Sequence, residues 1–377
     1  MSASITIIAT TAMGLESVLA REIKQLGYET VRVLNGKVEF DGQLYDICRS
    51  NIWLRTAGRI YVKLGTFTAR TFDALFEQTK QLDWQDWIQV RDCFPVTQVT
   101  SRKSALFSKS DCQRLVKKAI VEKLRQAHKV QHLEETGATV PVRIQIENDV
   151  VTLSIDTSGT GLNKRGYRVS SGPAPLRETL AAGLVLLSRW RPHEDVLMDP
   201  FCGSGTILIE AGLIAMNAAP GLYRQFCSQQ WKRIPSRNWE EVLNEARSIM
   251  NPNASYRIYG SDIDPRALSA ARASIQAANL ERVFVQKRDV GACQSRFETG
   301  VVIANPPYGE RLEDEARVDA LYREMGLHFQ RQFPSWSYYF LTPSETFETL
   351  FSLKATRRRK LYNGGLKCCY YQFQRPR

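Results

Sequence analysis

The sequence predicts an α/β protein in two parts, an α+β N-terminal part and a larger C-terminal domain built on a doubly wound parallel sheet. From residue 196 to residue 342, strand-like runs alternate with helical patterns, an order that favours a parallel sheet. The first 67 residues have the order β-α-β-β-α-β, which is typical of a small ferredoxin-like unit. Because 377 residues exceed one ordinary core, two or three domains are expected.

A second α+β unit is predicted after residue 67. A strand leads into the basic segment RKSALFSK, and Ser110 with Gln113 has the pattern of a capping box at the start of the next helix. The alternating runs TVPVRIQIE and VVTLSID predict two further strands. This order of strand, basic helix and closing hairpin resembles a THUMP domain, an RNA-binding module of enzymes that modify tRNA and rRNA. An α+β domain without that role is the alternative.

Positive charge is concentrated in two stretches of the chain. The net charge is +12, yet residues 94–130 hold nine Lys and Arg against two acidic residues, and residues 354–377 hold eight against none. This excess favours a polyanionic partner, most simply nucleic acid, although two solvated basic faces would give the same counts. The predicted RNA-binding residues are Arg102, Lys103, Lys109, Arg114, Lys117, Lys118, Arg165 and Arg168. For Arg165, Arg168 and the further candidate Arg311, a solvated loop arginine remains an open alternative.

Composition argues against several other classes of protein. The eight cysteines include no CxxC pair, which fits a reducing cytoplasm better than a disulfide scaffold or a zinc framework. His128 and His132 are four apart, but no third ligand is evident, so no metal site is predicted. No apolar run of 18 residues exists and the N-terminus lacks a basic leader, so neither a transmembrane helix nor a signal peptide is predicted.

The first chemical motif is DPFCGSGT (199–206), which follows a predicted strand and opens a predicted helix. Gly203 and Gly205 would let the backbone turn tightly and approach a ligand beside the unpaired amides of the helix N-terminus. A dinucleotide fingerprint would need a third glycine and an acidic residue about twenty positions on. Neither is present at those positions, and the first acidic candidate at a strand end is Asp262. Taken alone, the loop could be an ordinary strand–helix turn.

Acidic residues stand at the ends of the next two predicted strands. Asp262 in GSDID could accept both hydroxyls of a ribose, and Asp289 in KRDV could accept from an adenine amino group. Since the carboxyl ends of parallel strands meet at one edge of a sheet, these residues and the glycine loop define one crevice. Near the C-terminus, Asn363-Gly364 predicts the turn of an antiparallel hairpin.

This combination resembles the class I (Rossmann-like) methyltransferases that depend on S-adenosylmethionine, in which a parallel sheet is closed by an antiparallel hairpin. The resemblance implies that Asp199, Gly203 and Gly205 border the methionine part of the cofactor, that Asp262 holds the ribose and that Asp289 contacts the adenine. The predicted cofactor-binding residues are Asp199, Pro200, Gly203, Ser204, Gly205, Asp262, Ile263, Asp289, Val290 and Asn305.

The second chemical motif is NPPY (305–308), directly after the apolar run VVIA. Pro306 and Pro307 keep the backbone extended, which fixes the Asn305 amide and the Pro306 carbonyl relative to each other. Two fixed oxygens suit an exocyclic amino group with two hydrogens to donate, and Tyr308 could stack on a flipped base. These four residues are the predicted catalytic set. The motif does not name the base, because relatives that carry it act on adenine N6, guanine N2, cytosine N4 or a glutamine side chain.

The wider pattern resembles one family over essentially the full chain. LNKRGYR, APLRETLAAG, DPFCGSGTILIEA, a tryptophan-bearing insertion over 220–255, GSDID, NPPYGERL and KLYNG are similar to the THUMP-containing guanine-N2 methyltransferases of bacterial 23S rRNA, in the form with a single methyltransferase domain. The resemblance implies methyl transfer to guanine in RNA, and no second methyltransferase domain is expected. The predicted domains are a ferredoxin-like platform at 1–66, a THUMP domain at 67–157 and the methyltransferase domain at 158–377. A tRNA guanine-N2 methyltransferase, a DNA adenine-N6 methyltransferase and a non-catalytic RNA-binding factor remain alternatives.

Overall fold

Two seven-stranded sheets organise the chain. The structure, a computed structural model, describes residues 4–169, 176–308 and 312–375, without the side chains of residues 312–315. One compact unit comprises the chain up to Thr10 together with Ala20–Leu162 and Arg224–Glu245. The other comprises Thr11–Leu19, Asn163–Tyr223 and the chain from Ala246 onward.

The first sheet runs without a break through both predicted N-terminal domains. Its strand order is β2-β3-β1-β4-β7-β6-β5. The strands are β1 (Ile5–Thr11), β2 (Val31–Leu34), β3 (Lys37–Gly42), β4 (Ala57–Thr68), β5 (Val96–Arg102), β6 (Val142–Glu147) and β7 (Val150–Asp156). The twelve-residue strand β4 pairs antiparallel with β7 and crosses the boundary predicted at 66/67, with a register shift between Lys63 and Gly65.

Four helices belong to this part of the chain. They are α1 (Glu16–Gln25), α2 (Leu44–Trp53), α3 (Phe72–Lys80) and α4 (Lys109–His128). The basic helix α4 starts one residue before the predicted cap, because Ser108 is its N-cap and Ser110 lies inside the helix. The capping box predicted for Ser110 and Gln113 is therefore wrong. Gln113 instead donates from Nε2 to the Val96 carbonyl at 2.6 Å, so it ties the helix to β5.

The tryptophan-bearing insertion contributes to the first unit. Trp231 is buried and its indole N–H donates to the Thr139 carbonyl at 2.8 Å. Its ring also meets Trp87 edge-on, with centroids 6.2 Å apart. Aromatic rings of this size bury a large apolar area, which explains why the segment carries tryptophans.

The second sheet has the order β10-β9-β8-β11-β12-β14-β13. Its strands are β8 (Val196–Asp199), β9 (Arg257–Asp262), β10 (Val283–Lys287), β11 (Val301–Ala304), β12 (Ser337–Thr342), β13 (Arg357–Asn363) and β14 (Leu366–Phe373). The first five are parallel, and β14 pairs antiparallel with β12 and β13. This is the predicted doubly wound α/β arrangement with its closing hairpin.

The helices in the later part of the chain are α5 (Glu178–Leu187), α6 (Thr206–Ala215), α7 (Ser236–Ile249), α8 (Pro265–Ala277), α9 (Leu312–Gln332) and α10 (Phe347–Leu350). Of these, α7 belongs to the first unit up to Glu245. One apolar cluster includes Leu184, Ile209 and Ile258, and a second, rich in aromatic rings, includes Phe329 and Phe340. The sheet thus has packed side chains on both faces of its central strands, which holds the strand ends in fixed positions.

The closing hairpin turns one residue later than predicted. Asn363 still pairs with Leu366, so the two-residue loop is Gly364-Gly365 instead of Asn363-Gly364. Gly364 has φ +63°, a left-handed conformation that glycine adopts without steric cost. Asn363 is therefore the last residue of β13, and its side chain is available for another contact.

Candidate active site

The glycine loop between β8 and α6 uses its two glycines for different reasons. Gly205 is the N-cap of α6 with φ +80°, and a Cβ there would lie 3.3 Å from Cβ of Ala271 in α8. Gly203 has φ +50°, and a Cβ there would meet no atom within 4 Å. Gly205 is thus needed for helix packing, whereas Gly203 leaves open space at the carboxyl end of β8, where a ligand can approach the backbone.

Asp262 links the glycine loop to the next strand. Its Oδ2 accepts from the Gly203 N–H at 2.9 Å and its Oδ1 accepts from the Asp264 N–H at 3.0 Å. These two backbone donors fix the carboxylate at the end of β9. The neighbouring Ile263 is 64% exposed, so its apolar side chain is accessible beside the fixed carboxylate.

Asp199 ends β8 in a very different environment. It is only 1% exposed and accepts from the Phe201 N–H at 3.0 Å. Burial, with a smaller contribution from the negative charge of Asp262, raises the pKa of Asp199 well above its ordinary value. A cation placed beside Asp199 would reverse that effect by stabilising the carboxylate.

Asp289 lies two residues beyond β10. It is exposed and accepts from the Gly291 N–H at 2.8 Å, which fixes the short 3-10 turn Val290–Ala292. Val290 itself is buried. Because β8, β9 and β10 are parallel, Asp199, Asp262 and Asp289 share the carboxyl edge of the sheet.

The NPPY motif follows β11 at the same edge. Asn305 Oδ1 is buried and has no hydrogen-bond donor among the residues the structure describes. The Pro307 carbonyl accepts from the Tyr322 hydroxyl at 2.8 Å, and that hydroxyl also lies 3.0 Å from Thr342 Oγ1. Burial raises the pKa of Tyr322 to about 12, so its hydroxyl keeps its proton and remains a donor. The Tyr322 hydroxyl therefore fixes the backbone of the NPPY motif at Pro307, a contact that sequence reasoning missed.

Tyr308 is half-buried and is also tied to the closing hairpin. The Asn363 amide donates to the Tyr308 hydroxyl at 3.5 Å, a long contact. The KLYNG pattern that carried the family resemblance thus places a side chain beside the second motif. Arg311, in the same segment, lies outside the described residues.

The arginines of NKRGYR are interior in this structure. Arg165 is 5% exposed and its Nε lies 3.3 Å from Glu210 Oε1, which also accepts from the Tyr167 hydroxyl at 3.0 Å. Arg168 donates to Glu178 at 2.7 Å, to Ser204 at 3.2 Å and to Thr206 at 3.0 Å. Arg168 thus holds the glycine loop through Ser204 and Thr206. The guanidinium groups of both arginines are engaged by other residues of the domain.

The basic segment around α4 contains exposed and engaged side chains. Arg102, Lys103, Lys109 and Lys118 are exposed, and the Lys118 ammonium lies 5.6 Å from the centre of the Phe76 ring. Arg114 is exposed but forms an ion pair with Asp111.

Lys117 is engaged more completely than its neighbours. It contacts both oxygens of Glu135 at 2.7 Å, donates to the Phe94 carbonyl at 3.1 Å and stands 3.4 Å from the centre of the Phe94 ring. The ammonium of Lys117 is therefore already bound by Glu135 and Phe94 of the same domain.

The segment that carries these exposed cations also contains an exposed aromatic ring. Phe107 is 81% exposed and lies between Lys103 and Lys109 in the chain. Sequence reasoning did not single out Phe107, although an aromatic residue inside a basic loop is a signal for stacking on a nucleic-acid base.

Among the described residues, no group of three or more His, Cys, Asp or Glu side chains is placed to hold a metal ion. None of the helices formed by those residues is long and apolar enough to span a membrane.

Family models match three successive parts of the chain. A "RlmL ferredoxin-like domain" matches residues 6–61, a "THUMP domain" matches 69–156, and an "RMKL-like, methyltransferase domain" matches 165–372. The last alone covers more than half of the chain.

Named relatives are similar over nearly all of the chain. "Putative RNA methyltransferase YpsC" of Bacillus subtilis is 47% identical, over 98% of this chain and 95% of the relative. "Ribosomal RNA large subunit methyltransferase K/L" of Methylococcus capsulatus is 34% identical over 97% of this chain, which spans 50% of that longer protein.

Solved structures agree with the fold. The "predicted N6-adenine-specific DNA methylase" from Listeria monocytogenes has 46% identity and a TM-score of 0.94, over 99% of this chain and 97% of that one. "SMU.472, a putative methyltransferase complexed with SAH" has 39% identity and a TM-score of 0.95 over the full length of both chains.

The residues at the strand ends fit the cofactor of that class. Gly203 leaves open space beside a fixed Asp262 carboxylate, and the buried Asp199 carboxyl accepts from the Phe201 N–H. With a relative crystallised in complex with SAH, the cofactor is S-adenosylmethionine. The chain belongs to the RMKL-like methyltransferase family, as a class I, S-adenosylmethionine-dependent enzyme with N-terminal ferredoxin-like and THUMP domains.

Proposed function

We propose that the protein methylates the exocyclic N2 amine of a guanine in RNA, with large-subunit ribosomal RNA as the substrate. The observation that carries the methyl-transfer chemistry is Asn305 Oδ1, a buried acceptor with no donor among the described residues. Leaving such an acceptor unpaired costs about 1–3 kcal/mol, and an exocyclic amino group would supply the missing hydrogen.

The reaction is an in-line displacement between two neighbouring sites. S-adenosylmethionine supplies an electrophilic methyl group on a sulfonium. The guanine N2 lone pair forms the new N–C bond, the S–C bond breaks with its electron pair on sulfur, and N2 then loses one proton to solvent. Neutral S-adenosylhomocysteine and methylated guanine result, so charge and atoms balance.

The protein would accelerate the reaction by positioning the reactants more than by acid–base chemistry. Asn305 Oδ1 and the Pro306 carbonyl would accept the two amine hydrogens, and the Tyr322–Pro307 hydrogen bond keeps that piece of backbone in place. Tyr308 would stack on the flipped base. Correct placement of two reactants can lower a barrier by about 7–11 kcal/mol, which is enough to dominate the rate without a strong base.

Asp262 and the glycine loop would hold the methyl donor. The carboxylate of Asp262 is fixed by two backbone donors and would accept ribose hydroxyls, while Arg168 keeps Ser204 and Thr206 in position. Gly203 would let the backbone reach the donor closely.

The family supports RNA as the nucleic acid. The THUMP match and the names of YpsC and of the K/L methyltransferase favour RNA, and the K/L name favours large-subunit rRNA. NPPY would serve an adenine N6 amine equally well, and the Listeria structure is named for that reaction on DNA. Analysis of the methylated nucleoside distinguishes guanine N2 from adenine N6.

Purified protein, S-adenosylmethionine and unmodified 23S rRNA, tRNA or duplex DNA would separate these possibilities. After digestion to nucleosides, mass spectrometry should find N2-methylguanosine only in the rRNA reaction. N6-methyladenosine, or methylation of DNA alone, would refute the proposed base or substrate. Mapping rRNA and tRNA from a deletion strain would then locate the nucleotide.

A further inference from the structure

On the outermost parallel strands β9 and β10, the second sheet carries aromatic rings that the described residues leave partly exposed. In β9 and β10, Ile258 and Val283 are buried on the side of α8. Tyr259 and Phe284 are paired in the parallel register and stack with ring centroids 5.9 Å apart and planes 24° apart. Phe284 is nevertheless 56% exposed.

The connection from β10 to β11 explains why this face is open. Residues 288–300 link the two strands, and the described chain there forms only the short 3-10 turn Val290–Ala292. A parallel crossover usually carries an α-helix that packs on the sheet. A cavity of about 370 Å³ lies here instead, lined among others by Tyr259, Gln286, Arg296 and Phe297.

Arginines surround the rings of this open face. The guanidinium carbons of Arg257 and Arg296 lie 5.0 and 5.1 Å from the centre of the Phe297 ring. Phe297 in turn approaches Tyr259, with centroids 6.3 Å apart. The described residues that line the cavity also include Arg288 and contain no Asp or Glu.

Phe284 is exposed and Tyr259 and Phe297 are half-buried, and such rings beside arginines form the kind of surface that binds single-stranded nucleic acid. Bases stack on aromatic side chains, while guanidinium groups neutralise phosphates and contact bases through cation–π interactions. An apolar protein partner would favour rings without this charge, and an acidic peptide would not use the stacked rings.

We propose that Tyr259, Phe284, Phe297, Arg257 and Arg296, which we call the aromatic–arginine face, bind unpaired nucleotides of the RNA substrate. The inference rests on the proposed function, because it takes RNA to be the substrate. Tyr259 precedes Asp262 by three residues in β9, a distance of about 10 Å along the strand. Nucleotides held there would lie close enough to the methyl-transfer edge to orient the segment that carries the target base.

The test uses the full-length protein and a fluorescent single-stranded oligoadenylate of about 12 nucleotides as the probe. Phe284→Ala and Arg296→Gln should each weaken binding of this probe about 10-fold or more in fluorescence anisotropy. Phe284→Tyr should keep the affinity, since a ring remains. The dissociation constant for S-adenosylhomocysteine should stay unchanged in all three variants, which also shows that they are folded.

Tyr223→Ala provides a matched control. Tyr223 is 66% exposed, so its removal deletes a comparable exposed ring outside this face. It should leave probe binding as in the wild type. A 5-iodouridine probe should photocrosslink to peptides that contain Tyr259, Phe284 or Phe297.

Each result separates the inference from the proposed function. Unchanged probe affinity in both Phe284→Ala and Arg296→Gln overturns the aromatic–arginine face alone. A wild-type dimer that becomes monomeric on Phe284→Ala overturns it as well, because the face would then join two copies of the chain. Methylation of adenine in RNA overturns only the proposed base, and a wild type that binds no RNA overturns both.

Discussion

The hydroxyl of Tyr322 in α9 donates a 2.8 Å hydrogen bond to the carbonyl of Pro307. The two prolines of the motif restrict only φ. The hydrogen bond from a helix residue therefore adds a second constraint on this backbone. Tyr322 is fully buried, its ring packs edge-on against Phe347 at 4.8 Å, and its hydroxyl lies 3.0 Å from Thr342 Oγ1. The second motif is therefore held by the aromatic core on one side of the sheet.

Tyr322→Phe should slow methyl transfer without weakening cofactor binding. The ring is kept, but the Pro307 carbonyl loses its donor, so the amine acceptors lose part of their fixed position. We expect a lower kcat, an unchanged dissociation constant for S-adenosylhomocysteine and a loss of about 1–3 kcal/mol in the free energy of unfolding. Thr342→Val, which leaves the Tyr322–Pro307 bond, is the control and should affect kcat less. Equal kcat in Tyr322→Phe and wild type would remove this anchor from the mechanism.

Asn305→Ala should bind the cofactor and fail to transfer the methyl group. The alanine lacks the acceptor for one amine hydrogen, so the amine is no longer held in line with the methyl group. Single-turnover rates with RNA, measured beside calorimetric binding of S-adenosylhomocysteine, separate the two effects. Wild-type transfer by Asn305→Ala would sink the assigned role of the amide.

Gly203→Ala should weaken cofactor binding much more than it destabilises the fold. Its Cβ would point into open space, so the stability cost is the left-handed conformation, about 1–2 kcal/mol. Gly27→Ala is a matched control, because Gly27 also has a positive φ, +94°, and no atom within 4 Å of a built Cβ. Both variants should lose similar thermal stability, but only Gly203→Ala should lose affinity for S-adenosylhomocysteine. Parallel losses of affinity would mean that Gly203 has no special approach to the ligand.

Much of the site was predictable because its residues follow strands whose apolar runs are plain in the sequence. Asp199, Asp262, Asp289 and Asn305 come to one edge because β8 to β11 are parallel, and that topology follows from the strand–helix alternation. Their roles toward cofactor and RNA remain predictions.

Side-chain partners were less predictable, because they depend on tertiary contacts. Sequence alone gives Arg168 and Lys117 as cations, whereas the structure pairs them with Glu178 and Glu135. Tyr322 lies 15 residues beyond Pro307, and no periodicity links a helix residue to a loop carbonyl. The cap of α4 was misplaced because several serines precede that helix and local pattern does not choose among them.

The exposed Lys118 and the more buried Lys117, both in α4, should respond differently to substitution. Lys118→Met should weaken RNA binding and reduce the slope of log affinity against log salt by about 0.7–0.9, the value of one lost phosphate contact. Its exposed position predicts little change in stability. If Lys118→Met leaves both the affinity and the salt slope unchanged, this helix has no part in RNA binding.

Lys117→Met should act mainly on the fold. It removes contacts to Glu135 and Phe94, so we expect a loss of about 1–2 kcal/mol in the free energy of unfolding. Thermal melts and filter binding on the same preparations would measure both quantities. A Lys117→Met variant with wild-type stability and weak RNA binding would reverse the two assignments.

Asp199 should make cofactor binding depend on pH. Burial and the charge of Asp262 raise its pKa in the ligand-free protein, so below that raised pKa the side chain is largely protonated. A bound ligand that brings a positive charge next to Asp199 lowers its pKa again, and binding then releases a proton. Affinity should therefore rise with pH up to the ligand-free pKa and become constant above it, with a limit of about tenfold per pH unit.

Asp199→Asn should abolish this dependence and stabilise the ligand-free protein. A carboxyl group with a raised folded-state pKa lowers the free energy of unfolding as pH rises from its unfolded pKa to its folded pKa, and the neutral amide removes that loss. The amide oxygen can still accept from the Phe201 N–H. Calorimetry of S-adenosylmethionine binding, in two buffers of different ionisation enthalpy and without RNA, would report the proton directly. Identical heats in both buffers, with a flat pH profile in the wild type, would show that Asp199 does not sense the ligand's charge.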